Sequence, residues 1–249
     1  MRTVLESGTG MPAKTGSETA VQAVSPGHWI RLAVVYVLVP LILLACSGDP
    51  GWWQGWAYAL LIVVSGIGGR MWAEHRHPGL TAERQKLENV RNAKPWDKVL
   101  APLMAVSLVF PVVIVAGLDH RFDWSPVFPL WLNLAGFVLV LLGYAYAVWA
   151  VAENRFFYSV VIIRTDQGHR VCDTGPYRYV RHPAYAGNIC ALFGIVLALG
   201  SVWTLLPVAA ALVVAIVRTV LEDRTLLDEL PGYRDYAGRV RYRLVPGIY

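Results

Sequence analysis

The chain has 249 residues, of which 56% are hydrophobic and only 16% charged, and its mean hydropathy is +0.46. A soluble globule is about 25% charged, so this sequence has too little polar side chain to cover one. The composition specifies an integral membrane protein and excludes extensive disorder. A disulfide-stapled module is also excluded, because Cys46, Cys172 and Cys190 form neither a framework nor a ligand spacing.

The first stretch, residues 1–27, is polar and rich in Ser, Thr and Gly, and it is expected to be a disordered cytoplasmic tail. It does not read as a signal peptide, since the apolar run starts late and no small-residue cleavage pattern follows. Apolar runs then occupy positions 29–46, 52–69, 99–118 and 127–152, which defines a four-helix transmembrane region over 28–152. Within the second run, Gly66, Gly68 and Gly69 resemble a phosphate loop only superficially, and close helix packing is the expected role. His75 and His77 have no third ligand in sight, so no metal site is expected there.

The fifth apolar run, 184–217, lasts 34 residues without a charge. As one helix it would be about 50 Å long, against a hydrocarbon core of about 30 Å. It is predicted to fold as a tight hairpin of two short helices broken near Gly200-Ser201, without both having to span. The predicted fold is therefore all-α, a polytopic membrane bundle of about six helical segments.

The formal net charge of +5 is distributed unevenly. Three of the 22 basic residues (Arg2, Lys14, Arg31) precede or open the first helix. Seven lie between positions 70 and 98, five between 155 and 181, and six from 218 onward. Only Arg121 falls in the alternate connections. The positive-inside rule then places both termini and the two long loops in the cytoplasm. This explains the basic balance by topology and lipid head groups, leaving no case for nucleic acid as a partner. Trp52, Trp53, Trp56, Trp124 and Trp131 form an interfacial belt on the opposite side.

Polar residues that a plain bundle does not need cluster in the region 153–249. The segment Gly175-Pro176-Tyr177-Arg178-Tyr179-Val180-Arg181-His182-Pro183-Ala184-Tyr185-Ala186-Gly187 is a structured turn leading into a helix. Pro176 and Pro183 keep their preceding residues out of the helical region, and Pro183 suits a first helical turn. The unpaired backbone donors of that turn can face a ligand. An equal alternative is that Arg178 and Arg181 snorkel while Tyr177, Tyr179 and Tyr185 join the belt. One hairpin later, Arg218 and Glu222 are four apart where the last apolar run ends. Ionisable groups are expensive at that depth unless used, and the hairpin returns them beside the turn.

At these residues the chain resembles the isoprenylcysteine carboxyl methyltransferase family and its relatives, the membrane phospholipid methyltransferases. The likeness covers residues 153–249. Its marks are His169-Arg170-Val171, Gly175-Pro176-Tyr177, Arg181-His182-Pro183-Ala184-Tyr185-x-Gly187 and Arg218-x-x-x-Glu222-Asp223, completed by Tyr233, Tyr236 and Pro246. The resemblance implies an enzyme that binds S-adenosyl-L-methionine (SAM) in a C-terminal cytoplasmic pocket, with a lipophilic acceptor reaching it from the membrane. It implies cofactor contacts at His169, Arg170, Val171, Cys172, Tyr177, His182, Pro183, Ala184, Tyr185 and Glu222, and an acceptor-orienting role for Arg218. The usual paired glutamates are here Glu222-Asp223, and the surroundings of Gly232 and Arg239 to Arg243 depart from the family's spacing near the acceptor end.

The expected activity is methyl transfer to the carboxylate of a prenylcysteine-like compound, with phospholipid N-methylation as the alternative. A carboxylate acceptor needs no general base, whereas an amine would need His182 or Glu222 as one. A sterol-type NADPH reductase also carries an Arg-His-Pro-x-Tyr turn, but Ala184-Tyr185-Ala186-Gly187-Asn188 departs from its continuation. A non-enzymatic membrane protein is the remaining rival.

Overall fold

The computed structural model describes residues 26–84 and 91–249. The predicted tail lies outside the described residues except for Pro26 and Gly27, which open the first helix. Among the described residues all regular structure is helical: α1 (Pro26–Ser47), α2 (Trp53–Arg76), a short α3 (Leu80–Arg84), α4 (Asp97–Ser107), α5 (Phe110–Phe122), α6 (Leu130–Glu153), α7 (Pro183–Leu199), α8 (Leu205–Glu229) and α9 (Tyr233–Arg239). Four stretches are long and apolar enough to cross a membrane: α2, α4 with α5, α6 and α8. The chain is a polytopic helical membrane protein.

The predicted runs map onto these helices with two corrections. The third run is two helices, because Pro111 lies in the first turn of α5. A proline there lacks the N–H that would continue the ladder, and its ring crowds the carbonyl four residues back. The predicted hairpin exists, but its second arm is not short. α8 has 25 residues and runs well past the end of the apolar stretch, carrying Arg218, Glu222 and Asp223 on regular helix.

The side-chain distribution is that of a protein solvated by lipid. Leu60, Val64 and Met71 of α2, Leu141 and Leu142 of α6, and Leu206 and Val213 of α8 face outward. The small residues Gly136, Gly143, Ala147 and Ala150 of α6 face inward instead. Lipid tails are as apolar as leucine, so helices associate by close backbone packing rather than by hiding large side chains. The α6–α7 seam shows this most clearly. A Cβ on Gly136 would sit 2.2 Å from the Ala198 nitrogen, and one on Gly143 would sit 2.5 Å from the Gly187 oxygen. Gly66 and Gly69 also serve packing, against the Tyr36 ring and Val148, whereas Gly68 has open space around it.

The hairpin turn and the site lie at opposite ends of the bundle. α7 ends on Gly200 in the left-handed region, and Asn133 of α6 donates to the Leu197 carbonyl at 2.9 Å, satisfying one of the orphan carbonyls. Ser201 at the turn donates to the buried Asp119, which also accepts from Ser125. Nearby, Trp52 stacks on His120 at 4.3 Å and His120 pairs with Asp49. At the other end, Arg76 pairs with Glu153 and Lys94 with Glu229. These pairs join the end of α2 to that of α6, and the chain before α4 to the end of α8, at one mouth of the bundle.

Candidate active site

Local chemistry builds the site from the end of α6 onward. Asn154 caps that helix, and its Oδ1 accepts the Phe156 N–H at 2.9 Å, turning the chain across the bundle end. The motif Gly175-Pro176-Tyr177 forms a single 3₁₀ turn. Gly175 has φ 55°, a conformation that favours glycine, and a Cβ there would also press on Glu153. The turn is pinned twice through Tyr177. Tyr177 donates to the Ala150 carbonyl at 3.3 Å, and Tyr236 of α9 donates to the Tyr177 carbonyl at 2.8 Å.

Asp223 holds the second half of the site together. One of its carboxylate oxygens accepts from Arg181 Nε at 2.8 Å, His182 Nε2 at 3.2 Å and Tyr233 Oη at 2.9 Å. The other accepts from Arg181 Nη2 at 2.9 Å and Arg243 Nε at 2.8 Å. The Arg181 Nη1 donates to the carbonyls of Val240 and Arg241. A carboxylate with no exposed surface is thus fully paired, as burial of a charge demands. The network fixes the Arg181-His182-Pro183 turn, α8, α9 and the C-terminal segment to one another. Arg181 does not snorkel. Of the residues for which the interfacial alternative was open, Arg178 and Tyr179 are exposed, whereas Tyr177, Arg181 and Tyr185 are buried.

Between these two supports lies a solvent-open cavity lined by both polar and apolar side chains. His169, Arg170, Val171, Cys172, Tyr177, His182, Pro183, Ala184, Tyr185 and Glu222 all line it. Glu222 accepts a hydrogen bond from Tyr185 Oη at 2.5 Å. His169 stacks on Phe156 at 4.7 Å, and its Nδ1 accepts the Arg164 N–H at 3.3 Å. Burial pulls the His169 imidazole down to about 4, so it is neutral near pH 7. Burial likewise raises the Tyr177, Tyr233 and Tyr236 phenols and the Cys172 thiol, so all four keep their protons. The lining therefore offers one carboxylate, the arginines Arg170 and Arg181, several hydrogen-bonding groups and an apolar flank.

Arg218 does not line the cavity. Its Nε and Nη2 engage Asp97 at 2.7 and 3.1 Å, and Nη2 also donates to the Ser159 carbonyl at 3.0 Å. Its guanidinium lies 5.6 Å from the centre of the Tyr185 ring. A buried cation needs a paired anion, and it takes Asp97 rather than Glu222.

Several lining residues were not foreseen: Asn154, Phe156, Phe157, Val160, Val161 and Ile162 after α6, Leu226 on α8 and Leu230 just past its end. The doubled Phe156-Phe157 after the polar Glu153-Asn154-Arg155 was a usable signal. Asp97 was the other omission. A lone carboxylate opening an apolar run and a lone arginine ending another are natural partners, since neither is cheap alone near a membrane.

Residues 131–230 match the Phospholipid methyltransferase family. That family comprises membrane methyltransferases, so the match supports methyl transfer at a membrane as the class of activity. The matched stretch contains α6, the crossing segment, α7 and α8, and with them every predicted site residue. No curated protein matches the chain.

Proposed function

We propose that the chain is a SAM-dependent methyltransferase and that its ten predicted cofactor residues hold SAM in the cavity. The carrying observation is that Glu222 and the His182–Tyr185 turn, some forty positions apart, line the same space. The lining suits that cofactor. The Glu222 carboxylate offers a counter-charge to a cationic centre, Tyr177, His169 and His182 offer hydrogen-bonding groups, and Phe156, Val160 and Ile162 offer an apolar face. When bound, SAM supplies a methyl group on positively charged sulfur, which departs as a neutral thioether.

The acceptor in this proposal is the carboxylate of a prenylcysteine-like lipophilic compound. A carboxylate is already a nucleophile at neutral pH, so the protein has to orient it, exclude water and leave it ionised. Arg218 was expected to orient it, yet that arginine's fork is engaged by Asp97. Arg218 is buried outside the cavity lining, with Nε and Nη2 held by Asp97 and Nη1 against the Met104 sulfur, so we assign it a positioning part beneath Tyr185 instead. In this reading the site faces the cytoplasm, which the basic loops around the mouth support through the positive-inside rule.

The test is incubation of detergent-purified protein with methyl-labelled SAM and a membrane lipid extract. The proposal expects label in the lipid fraction that is released as methanol by mild base, the behaviour of a methyl ester. Base-stable label would place the methyl on nitrogen and favour phospholipid N-methylation. Binding of NADPH without SAM would instead favour a reductase, and binding of neither a non-enzyme.

A further inference from the structure

Asp97 opens α4, outside the matched segment, and does not touch the cavity. It is nevertheless fully buried, and it grips the cavity wall directly. Its Oδ2 accepts the Val161 N–H at 2.6 Å, while its two oxygens accept from Arg218 at 2.7 and 3.1 Å. Arg218 passes the hold on to the Ser159 carbonyl at 3.0 Å, and the Lys94 N–H donates to the Val161 carbonyl at 3.1 Å. The backbone from Ser159 to Val161 is thus held by Asp97, by Arg218 and by the chain just before α4.

This segment has no regular secondary structure of its own to fix it. Val161 is buried, so without these bonds its amide and carbonyl would lack partners, and the wall it belongs to would be free to shift. A hydrophobic pair could tie α4 to α8 as firmly as an ion pair does. The carboxylate and the planar guanidinium add direction, because each aims hydrogen bonds at specific backbone atoms. Arg218 also lies against the Tyr185 ring, whose hydroxyl meets Glu222. One buried pair therefore touches both the apolar wall and the support of the cavity's carboxylate.

We propose that Asp97 is a positioning residue of this cavity, setting its Val160–Ile162 wall and, through Arg218, the placement of Tyr185. The proposal rests on the cavity being the SAM site. The experiment compares wild type, Asp97→Asn and the double variant Asp97→Leu/Arg218→Met in detergent, measuring thermal unfolding and calorimetric SAM affinity on each. The double variant leaves no unpaired buried charge, so its folding does not depend on the salt bridge. Wild type should bind SAM. Asp97→Asn and the double variant should each bind it at least about tenfold more weakly, with the double variant unfolding close to the wild-type temperature.

A double variant that is folded and within twofold of wild-type affinity would overturn the positioning role and leave Asp97 a fold residue. Failure of both variants to fold would overturn it as well. Absence of SAM binding by wild type would be a different result, since it would remove the cavity assignment itself.

Discussion

The Tyr185 hydroxyl donates to a Glu222 carboxylate oxygen across 2.5 Å, joining the first turn of α7 to α8 over 37 positions of sequence. Tyr185 is a packing residue on one side and a lining residue on the other, so its hydroxyl sets where the carboxylate points. Tyr185→Phe should keep the fold and weaken SAM binding by about 1.5–3 kcal/mol, the usual worth of a hydrogen bond to a charged group. Calorimetry on the purified variant measures this. An affinity equal to wild type would show that the phenol does not orient Glu222.

Asp223 should behave as a fold residue. Asp223→Ala leaves Arg181 and its neighbours as uncompensated buried charge, which costs about 3–5 kcal/mol. Arg243 is a partly exposed member of the same network, and Arg243→Ala should cost about 1 kcal/mol or less. Thermal unfolding of the two variants should rank them in that order. The reverse ranking would mean that the network is held from the C-terminal segment.

The α6–α7 seam should tolerate no side chain. Gly136→Leu puts atoms where the Ala198 backbone lies, and the helices can respond only by separating. A loss of at least about 1–3 kcal/mol is expected from overpacking alone. Gly68→Leu, on the open position of α2, should be near neutral in the same unfolding assay.

The His169 imidazole titrates in the folded protein near 4, below its ordinary 6.5, because burial disfavours the charged form. The folded state therefore binds fewer protons than the unfolded chain between those values. Stability from this group is intact above pH 6.5 and declines as pH falls toward 4. Wild type minus His169→Phe, compared by denaturant unfolding at several pH values, should show a difference that changes only in that window. A difference independent of pH would contradict a buried neutral imidazole.

Much of this architecture was legible because membrane helices write themselves plainly. A run of 34 uncharged residues cannot be one span, and the break fell at Gly200, where a left-handed cap was needed. The turn before α7 was legible in its local motifs, where proline and glycine fix backbone shape, whereas the ten proposed cofactor residues came from the family resemblance. Pairings across the bundle were less legible. Glu222 and Asp223 are neighbours in sequence, but about 100° of helical rotation separates them. One consequently lines the cavity while the other ties Arg181, His182, Tyr233 and Arg243 together. The acceptor role of Arg218 came from the family resemblance, and its partner Asp97, 121 positions away, lies beyond any local pattern that would have corrected it.

The most direct measurement is a calorimetric titration of SAM into detergent-purified wild type and Glu222→Ala, with helicity followed by circular dichroism. Saturable binding by wild type, lost in a variant that keeps its helices, is the predicted result. Equal affinity in the two proteins would contradict a SAM site built around Glu222.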